Sequence, residues 1–198
     1  YVKLLQEKQG KSAISIQPGL VSLFKECFPY PVEVLNRNHC DLSVYDYHLS
    51  LMSLPYIFKT TPATIPQFIP YINPPQDSEE SWQLPETNYY KIGVVWGGAI
   101  RNPLYQQKSC SPDLFMTLLE IPNVALYSLQ VGEDAAKIQP WLEHKRVNDL
   151  SHLLTDFRVT AAMINQLDLV ITVDTAVAHL AGAMGKSVWI LLPYVPDW

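Results

Sequence analysis

The block Asp174-Thr-Ala-Val-Ala-His179 brings together residue types that can hold a charged, hydroxylated ligand. It follows the apolar run Leu169-Val-Ile-Thr-Val173 and precedes a small-residue stretch that Gly185 closes ahead of Val188-Trp-Ile-Leu-Leu192. The pattern predicts a buried strand, a helix opening at an Asp-Thr turn, and a second buried parallel strand. A strand that ends on a helix N-terminus presents unsatisfied N–H groups and the positive end of the helix dipole, both of which suit a phosphate. The amides of Thr175, Ala176 and Val177, with the Thr175 hydroxyl, are therefore expected to meet phosphate oxygens. Asp174 is expected as the helix N-cap, and this creates a conflict. A capping carboxylate takes amides that a phosphate needs and repels its charge, so Asp174 suits sugar hydroxyls better. His179 falls off the apolar stripe of Val177, Leu180, Ala181 and Met184 and is assigned with Asp174 to the sugar or diphosphate. The plain alternative makes Asp174 only a cap and His179 only a packing residue, and the pattern alone weighs the two evenly.

A second candidate is the loop Gly97-Gly-Ala-Ile-Arg-Asn-Pro-Leu-Tyr-Gln-Gln-Lys-Ser109, which follows the strand expected over 91–96. Ligands of open α/β sheets bind outside the carboxyl ends of strands, which is where this loop falls. Gly97 and Gly98 permit close backbone approach, and Arg101 and Lys108 could neutralise phosphate. The loop is neither a G-x-G-x-x-G fingerprint nor a P-loop, and solvated basic side chains are its simpler reading. Gln130 and Glu133, at the end of the strand expected over 124–129, are candidates for the nucleoside. His39, Cys40, Asp41, Asp46 and His48 match no zinc spacing, so no metal site is assigned. There is no G-x-S-x-G nucleophile elbow.

These residues need a frame of strands and helices to position them. In the first half, a helix end over 1–9 stops at Gly10, a strand over 13–16 and a helix through Cys27 and Phe28 follow, and a strand over 32–35 completes a β-α-β unit. Six prolines, from Pro55 to Pro75, then predict an irregular segment. The second half alternates strands with helices over 112–120, 134–142 and 159–166, the first capped by Ser111. The expected organisation is a first unit over 1–75, a linker over 76–90 and a second unit over 91–198.

The chain has 198 residues, 48% hydrophobic and 17% charged, with a formal net charge of −5. It is long enough for sizeable cores and lacks the composition of a disordered chain. Without a basic block, nucleic acid is not an expected partner. No apolar run reaches the roughly 18 residues of a membrane span. Three scattered cysteines point away from a disulfide framework and towards the cytoplasm. A start at Tyr1 and a stop at Pro-Asp-Trp198, just after a strand, suggest a piece of a longer protein.

Val173-Asp-Thr-Ala-Val-Ala-His-Leu-Ala-Gly-Ala-Met-Gly-Lys186, with Val188-Trp-Ile-Leu-Leu-Pro193 and Pro196-Asp-Trp, resembles the carboxyl-terminal half of heptosyltransferase-like (GT-B, family 9-type) glycosyltransferase domains that follow tetratricopeptide repeats in bacterial proteins. Val95-Trp-Gly-Gly, Ser128-Leu-Gln-Val-Gly-Glu, Asp156-Phe with Thr160-Ala-Ala, and Gln166-Leu-Asp-Leu-Val-Ile extend the resemblance. Tyr1-Val-Lys-Leu-Leu, Gln17-Pro, Ser53-Leu-Pro and Ile65-Pro carry it through the first half. It implies an α/β, GT-B-like protein with two Rossmann-like domains, the first incomplete here. It also implies a nucleotide-sugar donor as substrate, no separate cofactor, and a protein or glycan acceptor. Transfer would be inverting and metal-independent, with a base from a loop upstream of Tyr1. The family is usually lysine where this chain has Val131 and aspartate where it has Val159. The rival readings are a degenerate, non-catalytic module that binds a ligand or partner and a nucleotide-sugar epimerase on the same fold.

Overall fold

The computed structural model describes residues 1–8, 11–27, 32–75, 82–99 and 105–196 and is an α/β fold built on parallel sheets. The expectations placed on Gly10, Phe28, Arg101, residues 76–81 and Asp197-Trp198 lie outside the described residues.

The first half opens with α1 (Val2–Glu7), β1 (Ala13–Ile16), α2 (Val21–Cys27) and β2 (Glu33–Asn36). Strands β1 and β2 pair in parallel, with Ala13 opposite Glu33 and Ile16 opposite Asn36. The proline-rich stretch that follows contains short 3-10 turns and the single-turn α3 (Leu54–Ile57), with a cis bond at Ile69-Pro70. Proline removes ladder donors and blocks helix interiors, which keeps the segment irregular. It is nevertheless tied down. The N–H groups of Tyr71 and Ile72 donate to the Ala183 carbonyl at 2.9 and 3.2 Å, and that of Asn73 donates to the Cys27 carbonyl at 2.8 Å.

The second half runs β3 (Tyr90–Val95), α4 (Tyr105–Lys108), α5 (Asp113–Met116), β4 (Val124–Ser128), β5 (Val147–Asp149), α6 (Phe157–Asn165), β6 (Leu169–Val173), α7 (Ala176–Ala183) and β7 (Val188–Leu191). All five strands pair in parallel in the order β5-β4-β3-β6-β7. Side chains alternate between two cores, as strand geometry requires. Ile92, Val94 and Trp96 join Leu126, Leu169, Ile171, Phe115 and Ile138 on one side. Val95, Ala125, Tyr127 and Val170 pack on the other with Ala161, Met163 and Ile164 of α6, Leu180 and Ala181 of α7, and Leu23 and Cys27 of α2. The first half therefore packs into the core beneath the second. At Gly93 a Cβ would lie 2.5 Å from Leu167 Cδ1 and 2.9 Å from Leu129 Cδ1, so this central position admits no side chain without repacking.

Four expectations change. Strand β7, expected to be buried, leaves Trp189, Ile190 and Leu191 exposed because it forms an edge of the sheet. The segment Glu133–Trp141 is a 3-10 helix, not an α-helix. Pro140 cannot donate within it, and the Asp134–Lys137 pair at 2.6 Å matches a repeat of three residues. The helix expected over 112–120 divides into α5 and a 3-10 turn, Thr117–Glu120, with Pro112 at the cap position. Ser111 accepts from the Asp113 N–H at 3.4 Å and donates to the Asp113 carboxylate at 2.8 Å, from outside the cap position. Finally, α6 begins at Phe157, two residues earlier than the periodicity suggests, because Asp156 caps it.

Candidate functional site

The strand order reverses beside β3: the chain steps from β3 to β4 and β5 on one side, then returns to place β6 on the other. Loops diverge at such a switch point and leave a crevice at the carboxyl ends of the strands. Here that crevice is a cleft of about 730 Å³, bounded by Gly97 and Gly98 after β3, residues 129–134 after β4, the start of α6, and residues 174–177 after β6.

Of the residues expected at the site, Asp174, Thr175, Ala176, Val177, Lys108, Gly97, Gly98, Gln130 and Glu133 all line this cleft. His179 does not line it. Its side chain is 79% exposed, with Nε2 4.0 Å from Asp174 Oδ1.

The capping expectation is corrected. Thr175, not Asp174, is the N-cap of α7, and its side chain makes no capping bond. Its hydroxyl instead shares a hydrogen bond with that of Thr172 at 3.0 Å, while Thr172 donates to the Val173 carbonyl at 2.8 Å. Asp174 is one residue too early to reach the first-turn amides. Its Oδ2 pairs with Lys108 Nζ at 3.4 Å across the cleft, and both side chains are largely sheltered, at 24% and 11% exposure. The conflict between capping and phosphate binding therefore disappears, since neither Asp174 nor Thr175 caps the first amides of α7.

Gln130 is 3% exposed and joins the two loops that form the floor. Its Oε1 accepts from the Trp96 and Gly97 N–H groups at 3.1 and 2.9 Å. Its Nε2 donates to the Gly97 and Val131 carbonyls, both at 3.1 Å. A side chain committed in this way shapes the floor rather than reading a base. Glu133 is exposed at the start of the 3-10 helix, and Gly132 before it takes φ +77, a backbone conformation that favours glycine. A Cβ at Gly98 would meet nothing within 4 Å, so its lack of a side chain leaves cleft volume open.

Sequence reasoning assigned no place at the site to Thr155, Asp156, Phe157 and Thr160, yet all four line the cleft. Asp156 Oδ1 accepts from the Val159 N–H at 2.9 Å, and Oδ2 accepts from the Ser22 hydroxyl of α2 at 2.9 Å. Thr160 donates back to the Asp156 carbonyl at 2.8 Å. An aspartate just ahead of a periodic apolar run is the signal that could have found this cap.

Among the described residues, no group of three or more His, Cys, Asp and Glu could hold a metal ion. No helix among them is long and apolar enough to cross a membrane. Burial pushes the Cys27 thiol up to about 11, with Glu26 adding to the shift, and burial also raises the Cys110 thiol. Neither thiol is poised as a nucleophile, because the reactive form is the thiolate.

No family model and no curated protein matches the chain. Among solved structures, E. coli ADP-heptose LPS heptosyltransferase II is similar at 16% sequence identity, with a TM-score of 0.46 over 65% of this chain and 41% of that one. This chain thus spans less than half the length of that protein. The α/β class itself is given by the chain's own parallel sheets, with the cleft at their switch point.

Proposed function

We propose that the cleft is the donor site of a heptosyltransferase-like glycosyltransferase of the GT-B kind and binds a nucleotide-activated sugar. The observation that carries this reading is the uncapped start of α7 beside Lys108 at the switch-point cleft. Free amides, a helix dipole and a lysine together suit a diphosphate. Asp174 supplies an acceptor for sugar hydroxyls, with His179 at the outer edge. Lys108 neutralises phosphate charge, Gly97 and Gly98 leave the ligand room, and Glu133 stands at the nucleoside end. Gln130 acts by holding the floor. In this reading residues 1–75 are the back part of an acceptor-side domain, 91–198 form the donor domain, and transfer is inverting and metal-independent. No residue of this chain is assigned as the base. The acceptor is a protein or glycan, and tetratricopeptide repeats accompany the domain in the full protein.

Calorimetric titration with UDP, GDP, ADP and their sugar derivatives tests the proposal. Saturable binding of one nucleotide class, weakened by Lys108→Ala, is the expected result. A folded chain that binds none of them overturns it. Val131 favours a second reading, because it is 51% exposed at the cleft where the resembled family carries lysine. A domain without that cation would be a binding module, which would hold the nucleotide but transfer no sugar.

A further inference from the structure

Lys108 and Asp174 are both assigned to the ligand, yet in this structure they hold each other at 3.4 Å. Lys108 projects from the one-turn α4, and Asp174 stands at the turn between β6 and α7, so the pair bridges the two walls of the switch-point crevice. The carboxylate also has the His179 imidazole nearby, with Nε2 4.0 Å from the oxygen that Lys108 does not use. The Thr175 side chain makes no capping bond to the first amides of α7 behind this pair. The Asp174 carboxylate, beside the start of α7, is thus held by a lysine and lines the cleft from which an anion must approach the amides.

We infer that the Lys108–Asp174 ion pair is an exchangeable latch on the anion seat, closed when the cleft is empty and opened when a diphosphate takes Lys108 from Asp174. This rests on the reading of the cleft as a phosphate site. An entering diphosphate competes with Asp174 for the lysine, and it must also approach a carboxylate of like charge at a partly sheltered site. Asp174 therefore acts against bare diphosphate. A ligand that also carries sugar hydroxyls compensates the carboxylate with hydrogen bonds, whereas the free nucleotide left after transfer does not. The latch favours loading of the sugar-bearing ligand and release of the spent one.

The probe is inorganic pyrophosphate, titrated calorimetrically into the wild-type chain, Asp174→Asn, Asp174→Ala, Lys108→Met and the double variant Lys108→Met/Asp174→Asn, with each fold checked by circular dichroism. Both Asp174 variants should bind pyrophosphate about tenfold more tightly than wild type. That gain should largely disappear when Lys108 is absent, because the released lysine supplies much of it. Asp174 variants that bind no tighter than wild type, or a gain that persists undiminished without Lys108, would overturn the latch while leaving the phosphate site intact. If neither wild type nor any folded variant binds pyrophosphate, the phosphate reading fails and the latch fails with it. Asp174→Asn and Asp174→Ala are independent replacements, so loss of fold in one leaves the other to decide.

Discussion

Two helices open onto the same cleft, and their starts are built differently. At α6, Asp156 is the N-cap: one oxygen takes the Val159 N–H and the other takes the Ser22 hydroxyl. At α7, the aspartate comes one residue before the cap position, Thr175 makes no capping bond, and the carboxylate turns to Lys108. Asp156-Phe-Arg-Val159 and Asp174-Thr-Ala-Val177 look alike as sequence. A one-residue difference in where the helix begins makes one start self-sufficient and leaves the other available. A capping side chain must stand at the cap position to reach the second and third helical amides, and from one residue earlier it cannot. The α6 start therefore serves stability and couples the first half to the second, while the α7 start carries no cap bond from its own cap residue.

The largest effect we expect is at the floor both helices share. Gln130→Ala leaves the N–H groups of Trp96 and Gly97 without their buried partner. Urea unfolding should register a loss of about 3 kcal/mol, since each unsatisfied buried donor costs roughly 1–3 kcal/mol. A loss below about 1 kcal/mol would mean that the loops hold their shape without it.

The capped start is next. Asp156→Ala should cost about 1–2 kcal/mol in the same assay, the usual worth of an N-cap aspartate. Its partner variant Ser22→Ala should cost less and be non-additive with it, because the two side chains share one hydrogen bond. Full additivity would break the coupling between the halves.

Thr175→Ala sharpens the contrast most directly. Although Thr175 is the N-cap residue of α7, its replacement should cost only about 0.5–1 kcal/mol, the worth of its hydrogen bond to Thr172, because its side chain caps nothing. Nucleotide binding should weaken measurably. A stability loss matching that of Asp156→Ala would erase the distinction between the two helix starts.

A pH-dependent effect concerns Cys27, which is 1% exposed where α2 packs beneath α6. Its thiol is pushed up to about 11 from an ordinary value of 9.0, mainly by burial. The unfolded chain therefore loses this proton near pH 9 while the folded chain keeps it. The stability tied to Cys27 is complete below pH 9 and declines as pH rises towards 11. A Cys27→Ala chain should show a shallower decline across that window, read from urea midpoints. In the native wild type, a thiol reagent should modify the partly exposed Cys40 well before Cys27.

Much of this was legible from residue types in order. The apolar runs at 91–96, 124–129 and 169–173 announce buried strands, and short connections between strands and helices announce parallel pairing. The site was legible where a strand end and a helix start adjoin in the chain, as at Asp174 to Val177. It was not legible where contacts cross the chain. Asp156 and Ser22 are 134 residues apart, and Lys108 and Asp174 are 66 apart. The exposure of β7 was equally hidden, because Val188-Trp-Ile-Leu191 has the composition of a central strand and only the strand order makes it an edge.

The sequence by itself determined the class of fold, the strands that form the second half's sheet, and the residues that gather at their carboxyl ends. Local hydrophobic periodicity and turn chemistry act over a few residues and need no partner to be read. Only the tertiary structure decided which helix start is capped, where Asp174 points, and that Gln130 builds the floor rather than facing a ligand. Each of these depends on competition among distant groups for the same hydrogen bond or charge, and that competition exists only once the chain has brought them within a few ångströms.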